Sequence, residues 1–211
     1  MKHIYVFGSI VRGEIDQYSD TDLLLITDEQ IKNIDINKYS VYTSNRINEL
    51  YKEGNPFAWH LYYESKLVYS SNDKDFLSEL GKPAKYLNCK SDLLKFKKLF
   101  DDSKISIKED NFSTVFDLSM IFLAIRNFAT CYTLGCYETP IFSRLTFEKL
   151  SDYPLKLDNE IKDILMMSRI SSTRGVNYTL EDESLILLDL NLDKIESWFN
   201  EILDNYESRI Q

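Results

Sequence analysis

The stretch FGSIVRGEIDQYSDTDLLLI, residues 7–26, places a Gly-Ser pair and two closely spaced aspartates between apolar runs. The closing Leu-Leu-Leu-Ile predicts a buried strand over 20–26, with Asp20 and Asp22 at its start. Side chains alternate along a strand, so both carboxylates point to one side, with Cα atoms roughly 6.5–7 Å apart. Burying two acids without a cationic partner is costly. The spacing therefore predicts a shared partner, and divalent cations such as Mg²⁺ suit it.

The Gly-Ser pair follows a short β-rich run. Residues 3–7 predict a strand that stops at Gly8, and residues 9–14 predict a helical turn with Ser9 as its N-cap. A glycine lets a phosphate approach the backbone, and the N-terminus of a helix offers it free N–H groups. A strand, a Gly-Ser turn, a helix and a second strand with two acids together indicate a phosphoryl-transfer site.

This arrangement resembles the nucleotidyltransferase superfamily that includes DNA polymerase β and kanamycin nucleotidyltransferase. The family signature is a hydrophobic residue with Gly-Ser, a spacer, and Asp-x-Asp in a hydrophobic strand. Here it reads Phe7-Gly8-Ser9, then residues 10–19, then Asp20-Thr21-Asp22. The spacer length and its Arg-Gly pair are most similar to the minimal nucleotidyltransferases.

The resemblance implies a reaction and a set of residues. It implies transfer of a nucleoside monophosphate, AMP from ATP, to a hydroxyl of a small molecule or a protein, with Mg²⁺ as cofactor. Gly8 and Ser9 would bind the phosphates of the nucleotide, while Asp20 and Asp22 would be the catalytic, metal-binding acids. Arg12 either neutralises phosphate charge or is a salt-bridged arginine on a helix.

One expected acid is missing from the pattern. These enzymes usually carry a third carboxylate on a later strand, often as the base that takes the acceptor proton. The corresponding run, residues 39–43, contains no acid. His60, Glu64 and Asp35 are the remaining candidates for a base. Without a base, the chain would be a non-catalytic nucleotide-binding protein of a regulatory or defence system, such as a toxin–antitoxin pair.

Composition excludes several other classes. The net charge of −9 opposes binding of nucleic acid. Three cysteines without a CxxC pair do not form a disulfide framework, and two histidines supply zinc sites and Ser-His-Asp catalysis poorly. The N-terminus shows no signal segment, and no apolar run approaches the roughly 20 residues of a membrane span. The chain is therefore expected in the cytoplasm, away from membranes, with homo-oligomerisation left open.

The spacing of apolar residues changes along the chain and predicts an α+β fold with two parts. Residues 1–85 predict a small mixed-sheet nucleotidyltransferase domain, and residues 86–211 predict an all-helical domain. The second resembles HEPN domains or the helical domain of kanamycin nucleotidyltransferase. Arg126 lies in a helix like that of HEPN ribonucleases, but no histidine follows it closely, so that chemistry is not expected. Further predictions are strands at 39–43 and 66–70, helices at 44–53, 57–64, 91–104, 113–133, 143–151, 157–168 and 192–208, and a loop at 169–184.

Overall fold

The structure, a computed structural model, describes residues 1–14, 21–29, 35, 38–109, 113–180 and 182–210, without the side chains of 182–187, 190, 209 and 210. Asp20 lies outside the described residues, so the predicted Asp20–Asp22 pair is represented here by Asp22 alone. The elements are β1 (Lys2–Phe7), α1 (Ser9–Arg12), β2 (Asp22–Thr27), β3 (Ser40–Tyr42), α2 (Ser44–Lys52), α3 (Pro56–Glu64), β4 (Ser65–Ser70), α4 (Phe76–Leu80), α5 (Cys89–Glu109), α6 (Thr114–Cys136), a 3₁₀ turn (Thr146–Glu148), α7 (Asn159–Arg174) and α8 (Asp182–Ile210). A small mixed sheet followed by a mostly helical region confirms the predicted α+β class.

The sheet has the strand order β3-β2-β1-β4. β1 runs antiparallel to both β2 and β4, and β2 runs parallel to β3. Tyr5 pairs with Leu24 and Phe7 pairs with Asp22, so these four side chains share one face of the sheet. Tyr5, Phe7 and Leu24 are buried there against α2, α3 and α4, whereas Asp22 is exposed at the strand end.

Several predicted boundaries are wrong for identifiable reasons. Ser9 is the first helical residue and Gly8 is the N-cap, because only glycine readily adopts the backbone angles of that turn. The helix predicted over 143–151 is a short 3₁₀ turn, Thr146–Glu148. The loop predicted over 169–184 is helical at both ends, since α7 continues to Arg174 and stops at the left-handed Gly175, and α8 begins at Asp182.

The described chain groups into two compact units. The first comprises Met1–Leu87 with Phe142–Arg144, and the second comprises Asn88–Ile141 with Leu145–Gln211. The assignment of 1–85 and 86–211 as functional domains stays a prediction.

The core of the second unit is built on α6, which packs against α5 and α7. Among the described helices, α6 alone is long and apolar enough to cross a membrane by length and composition, and just over half of its most apolar part is buried inside the protein. Burial in a core accounts for that composition equally well. The buried carboxylate of Asp117 accepts hydrogen bonds from the hydroxyls of Ser106 and Ser113 at 2.9 and 2.8 Å.

Candidate active site

The chain turns from β1 into α1 at Gly8. Its φ of 77° and ψ of −141° lie in a region that side chains disfavour. The Gly8 amide donates to the backbone oxygen of Glu64 at 3.2 Å, and the Gly8 carbonyl accepts from the amides of Val11 and Arg12 at 3.1 and 3.3 Å. These bonds hold an open glycine turn at the end of the strand, where the predicted signature has its Gly-Ser pair.

The carboxylate of Asp22 lies against this turn. A Cβ added to Gly8 would stand 2.8 Å from the Asp22 Oδ2 atom, closer than any real contact of this kind. Asp22 is the first residue of β2 and is exposed, whereas Leu24 and Ile26, further along the same face, are fully buried. The structure therefore brings together Gly8 and Asp22, two of the predicted site residues, and Ser9 follows directly as the first residue of α1.

An exposed carboxylate beside a bare glycine backbone can act as an oxygen ligand for a cation that also contacts a phosphate. Within the described ranges, no group of three His, Cys, Asp or Glu side chains is placed to hold a metal ion. Asp20, the second predicted ligand, is not among those residues. Binding of Mg²⁺ by Asp20 and Asp22 thus stays a prediction.

Arg12 is salt-bridged within the first unit. Its Nε atom donates to Glu14 Oε2 at 2.9 Å, and its guanidinium also pairs with Glu64 Oε2. The Arg12 side chain is 18% exposed, so the ion pairs are largely shielded from water. The sequence left open whether Arg12 neutralises phosphate charge or forms salt bridges, and the structure contains these two salt bridges. Phosphate binding by Arg12 stays a prediction.

His60 and Glu64 form a second contact in the same cluster. His60 Nε2 lies 2.9 Å from Glu64 Oε2, as the i,i+4 spacing on α3 allows. A carboxylate only accepts hydrogen bonds, so the proton lies on Nε2 and, in a neutral ring, Nδ1 carries the lone pair. The ring stands edge-on to Phe7 at 5.7 Å and stacks on Phe142 at 4.8 Å. Glu64 therefore orients His60 while its carboxylate is shared with Arg12.

Two residues of this cluster, Phe142 and Ser143, lie far along the chain and were not predicted from the sequence. Phe142 covers one face of the His60 ring, and the hydroxyl of Ser143 donates to Glu14 Oε2 at 3.1 Å. Both belong to the first unit despite their distance in sequence. No local signal marks them, because they are an ordinary aromatic and an ordinary serine in a turn.

The strand expected to carry the third acid presents other side chains. Ser40 pairs with Leu24 and Tyr42 pairs with Ile26, and β3 has no carboxylate. Asp35 is exposed, and its carboxylate lies 3.8 Å from the Lys38 ammonium.

Comparison with known proteins finds a family match in the N-terminal segment. The family model described as "Polymerase beta, Nucleotidyltransferase" matches residues 1–74, about a third of the chain. The matched segment contains Gly8, Ser9, Arg12 and Asp22, and it supports the polymerase β superfamily and a general nucleotidyltransferase activity. Neither the curated proteins nor the solved structures contain a match. The minimal-nucleotidyltransferase subtype and the type of the helical region stay predictions.

Proposed function

We propose that this protein is a Mg²⁺-dependent nucleotidyltransferase that transfers AMP from ATP to a hydroxyl of a small molecule or a protein. One observation carries the proposal: the exposed Asp22 carboxylate lies against the glycine turn at Gly8, inside the segment that matches the polymerase β nucleotidyltransferase domain. The cytoplasm is the proposed location. The chain's net charge of −9 favours acceptors other than nucleic acid.

The bonds that change follow from the reaction class. The acceptor oxygen attacks the α-phosphorus of ATP and forms a new P–O bond, while the bond to the bridging oxygen breaks and pyrophosphate leaves. The hydroxyl proton passes to a base. In this scheme Gly8 leaves room for the phosphates beside the backbone, and Ser9 lies next to them at the start of α1.

The donor set at the turn fits a hard divalent cation. Asp22 offers carboxylate oxygens at an exposed position, which is the ligand type that Mg²⁺ prefers, and Asp20 would supply the second carboxylate. When bound, Mg²⁺ would neutralise charge on the triphosphate and the acceptor oxygen. Asp22 would orient these groups with respect to the Gly8 backbone.

His60 is the proposed base. Its Nε2 is held by Glu64, so the lone pair on Nδ1 is the one that can accept a proton, and the described residues give Nδ1 no hydrogen-bond partner. Glu64 would act as a positioning residue because Arg12 and His60 both engage its carboxylate. Asp35, paired with Lys38, is the remaining candidate.

A specific observation supports a second candidate function. The strand β3 lacks an acid, and the carboxylate of Glu64 is engaged in an ion pair with Arg12 and a hydrogen bond with His60. A protein with this arrangement could bind nucleotide and regulate a partner without turning the nucleotide over. General-base loss typically lowers turnover by about 10²–10⁴-fold but leaves binding intact.

The test incubates the full chain with each of the four labelled nucleoside triphosphates and Mg²⁺, and measures pyrophosphate release and label transfer to the protein or to lysate components. We expect ATP to give both. Asp22→Asn should lower transfer by about 10³-fold or more while the protein stays folded. Asp102→Asn, at an exposed ion pair on α5, is the matched control and should behave like wild type.

The outcomes separate the two functions. Nucleotide binding that depends on Asp22, without pyrophosphate release, would support the regulatory protein. Transfer or binding that is unchanged in Asp22→Asn would contradict the assignment of the site.

A further inference from the structure

The first unit contains a cavity of about 590 Å³ that is separate from the Gly8–Asp22 turn. Its volume is in the range of pockets that hold small organic ligands. Neither Gly8 nor Asp22 lines it. The cavity lies among β1, α2, α3, β4 and α4, and its lining includes Tyr5, Tyr51, Lys66, Asp75, Leu77 and Lys82.

Tyr51 gives the cavity an unsatisfied polar group. The Tyr51 side chain is 95% buried, and its hydroxyl has no hydrogen-bond partner among the residues that the structure describes. A buried hydroxyl without a hydrogen-bond partner is less stable than the same hydroxyl in water. Such groups are therefore rare in folded proteins unless a ligand or a water molecule supplies the missing hydrogen bond. Burial also raises the pKa of Tyr51, which keeps the hydroxyl protonated and able to donate.

Tyr5, on the same wall, shows the contrast. Its hydroxyl donates to Asp75 Oδ1 at 2.8 Å and accepts from the amide of Leu77 at 3.0 Å. Asp75 in turn caps α4 by accepting from the amide of Ser78 at 3.1 Å. Asp75, the carboxylate among the described lining residues, is therefore engaged by the protein's own donors, and the hydroxyl of Tyr51 is the polar group that indicates a ligand.

The charges of the lining favour an anion. Lys66 and Lys82 are both exposed, and the described residues offer neither of them an ion pair. Lys82 instead lies over the Trp59 ring, 5.4 Å from its centroid. Asp75 keeps its negative charge, so two ammonium groups and one carboxylate give the described lining a formal charge of +1, in a protein whose net charge is −9. An anionic ligand would be attracted to this site despite the overall charge.

We propose that this cavity binds a small organic anion, with a carboxylate or phosphate between Lys66 and Lys82 and an apolar body that carries a hydrogen-bond acceptor for Tyr51. Leu61, Leu67 and Leu77 supply the apolar wall for the body. The site is independent of the proposed nucleotidyl transfer, because neither Gly8 nor Asp22 lines it.

The experiment titrates the full chain with a fixed probe set by calorimetry and by amide NMR shifts. Three probes carry both an anion and a nitro acceptor: 4-nitrobenzoate, the longer 4′-nitrobiphenyl-4-carboxylate, and 4-nitrophenyl phosphate, which separates phosphate from carboxylate. Benzoate lacks the acceptor, and 4-nitrobenzyl alcohol lacks the charge. We expect saturable one-to-one binding of at least one nitro anion, with shifts confined to the lining residues.

Substitutions test separately the contact with the anionic group of the ligand and the contact with its hydrogen-bond acceptor. Tyr51→Phe should weaken the nitro anion about fivefold, the loss of one hydrogen bond, and leave benzoate unchanged. The double variant Lys66→Gln/Lys82→Gln should weaken every anion about tenfold and leave 4-nitrobenzyl alcohol unchanged. Lys98→Gln/Lys108→Gln, at two exposed lysines on α5, is the charge-matched control.

The results decide the proposal directly. Failure of all three nitro anions to bind saturably below about 10 mM would overturn it. Equal binding by wild type, Tyr51→Phe and the double lysine variant would also overturn it, since the probe would then sit elsewhere. Asp22→Asn should bind the probes like wild type, so a failure of the proposed transfer reaction and a failure of this site are distinguishable.

Discussion

The Gly8–Asp22 turn and the Tyr51 cavity are built on the same face of β1, yet they treat polar groups in opposite ways. At the turn, next to Phe7, the polar side chain is exposed. At the cavity, two positions earlier at Tyr5, the two tyrosine hydroxyls are buried, and the described residues leave that of Tyr51 without a partner. The polar group of the turn is hydrated, whereas the cavity holds a buried hydroxyl whose hydrogen bond a ligand would complete.

The difference bears on how each region relates to function. Water hydrates an exposed carboxylate, so it does not need a particular hydrogen-bond partner in the protein. Its position is constrained mainly by the backbone of the glycine turn. A buried hydroxyl can form few other hydrogen bonds, so the stability of the protein depends on whether that hydroxyl has a partner. Substitutions at the turn should therefore affect transfer, while substitutions at the cavity should affect stability and ligand affinity.

After the loss of the Asp22 carboxylate itself, the largest effect is expected at Gly8. In Gly8→Ala the new Cβ would stand 2.8 Å from Asp22 Oδ2 at a φ of 77°, so Asp22 must move. We expect transfer, or Mg²⁺-nucleotide affinity if there is no transfer, to fall by about 100-fold, as for other displacements of reacting groups. Pyrophosphate release and nucleotide titration measure it.

Gly13→Ala is the control for a positive-φ glycine whose added Cβ meets no neighbour. The ψ of 14° at Gly13 lies in the left-handed helical region, so the backbone cost there is smaller than that at Gly8, where ψ is −141°. Gly13 has a similar φ of 72°, but nothing lies within 4 Å of an added Cβ. It should lose about 1 kcal/mol of unfolding free energy and keep its activity. Equal activity of the two variants would show that the contact with Asp22 has no functional role.

The next effect is expected at the ion pairs of α3. Glu64→Gln keeps the shape of the side chain but removes the charge that Arg12 and His60 share, and the Glu64 side chain is only 13% exposed. We expect a loss of about 2 kcal/mol in unfolding free energy by urea denaturation, below the full value for buried pairs because Arg12 keeps Glu14. Glu49→Gln, in an exposed pair with Arg46, should change stability little. Similar losses in both variants would contradict the assignment.

A smaller difference in unfolding free energy is expected between variants of the two cavity tyrosines. Tyr5→Phe removes an acceptor for the Leu77 amide and a donor to Asp75, and should lower the unfolding free energy by about 1–2 kcal/mol. Tyr51→Phe removes no hydrogen bond, so the free protein should be as stable as wild type or slightly more stable. A destabilised Tyr51→Phe protein would mean that its hydroxyl is already satisfied without a ligand.

The smallest effect concerns His3, at the other end of the same face. His3 is fully buried, and burial lowers its pKa below the usual 6.5, with Asp75 opposing the shift. Below about pH 6.5 the unfolded chain therefore binds a proton that the folded chain does not, and stability falls by at most about 1.4 kcal/mol per pH unit until the folded pKa is reached. Urea denaturation between pH 7.5 and 5 should show this slope, and His3→Phe should reduce it. Equal slopes in the two proteins would contradict the assignment to His3.

Much of the first unit could be predicted from local patterns. The apolar runs placed β1 and β2, and the Gly-Ser pair with its aspartate spacing indicated the turn and the aspartates at the start of β2. Helix ends were less accurate, since α7 continued to Arg174 through a segment without apolar period. In that extension Ile170 is buried but residues 172–174 are exposed, and the helix ends where Gly175 adopts left-handed backbone angles.

The sequence by itself indicated the glycine turn after β1 and the aspartates at the start of β2, because strand runs and glycine turns are local features. The sheet register decided that Asp22 pairs with Phe7 and lies against Gly8. Only the tertiary structure decided that Phe142 covers His60, that Glu64 is shared by Arg12 and His60, and that Tyr51 has an unsatisfied hydroxyl. Each of these depends on contacts between residues from separate elements. Whether a buried polar group finds a partner is set by three-dimensional packing, which residue spacing along the chain does not record.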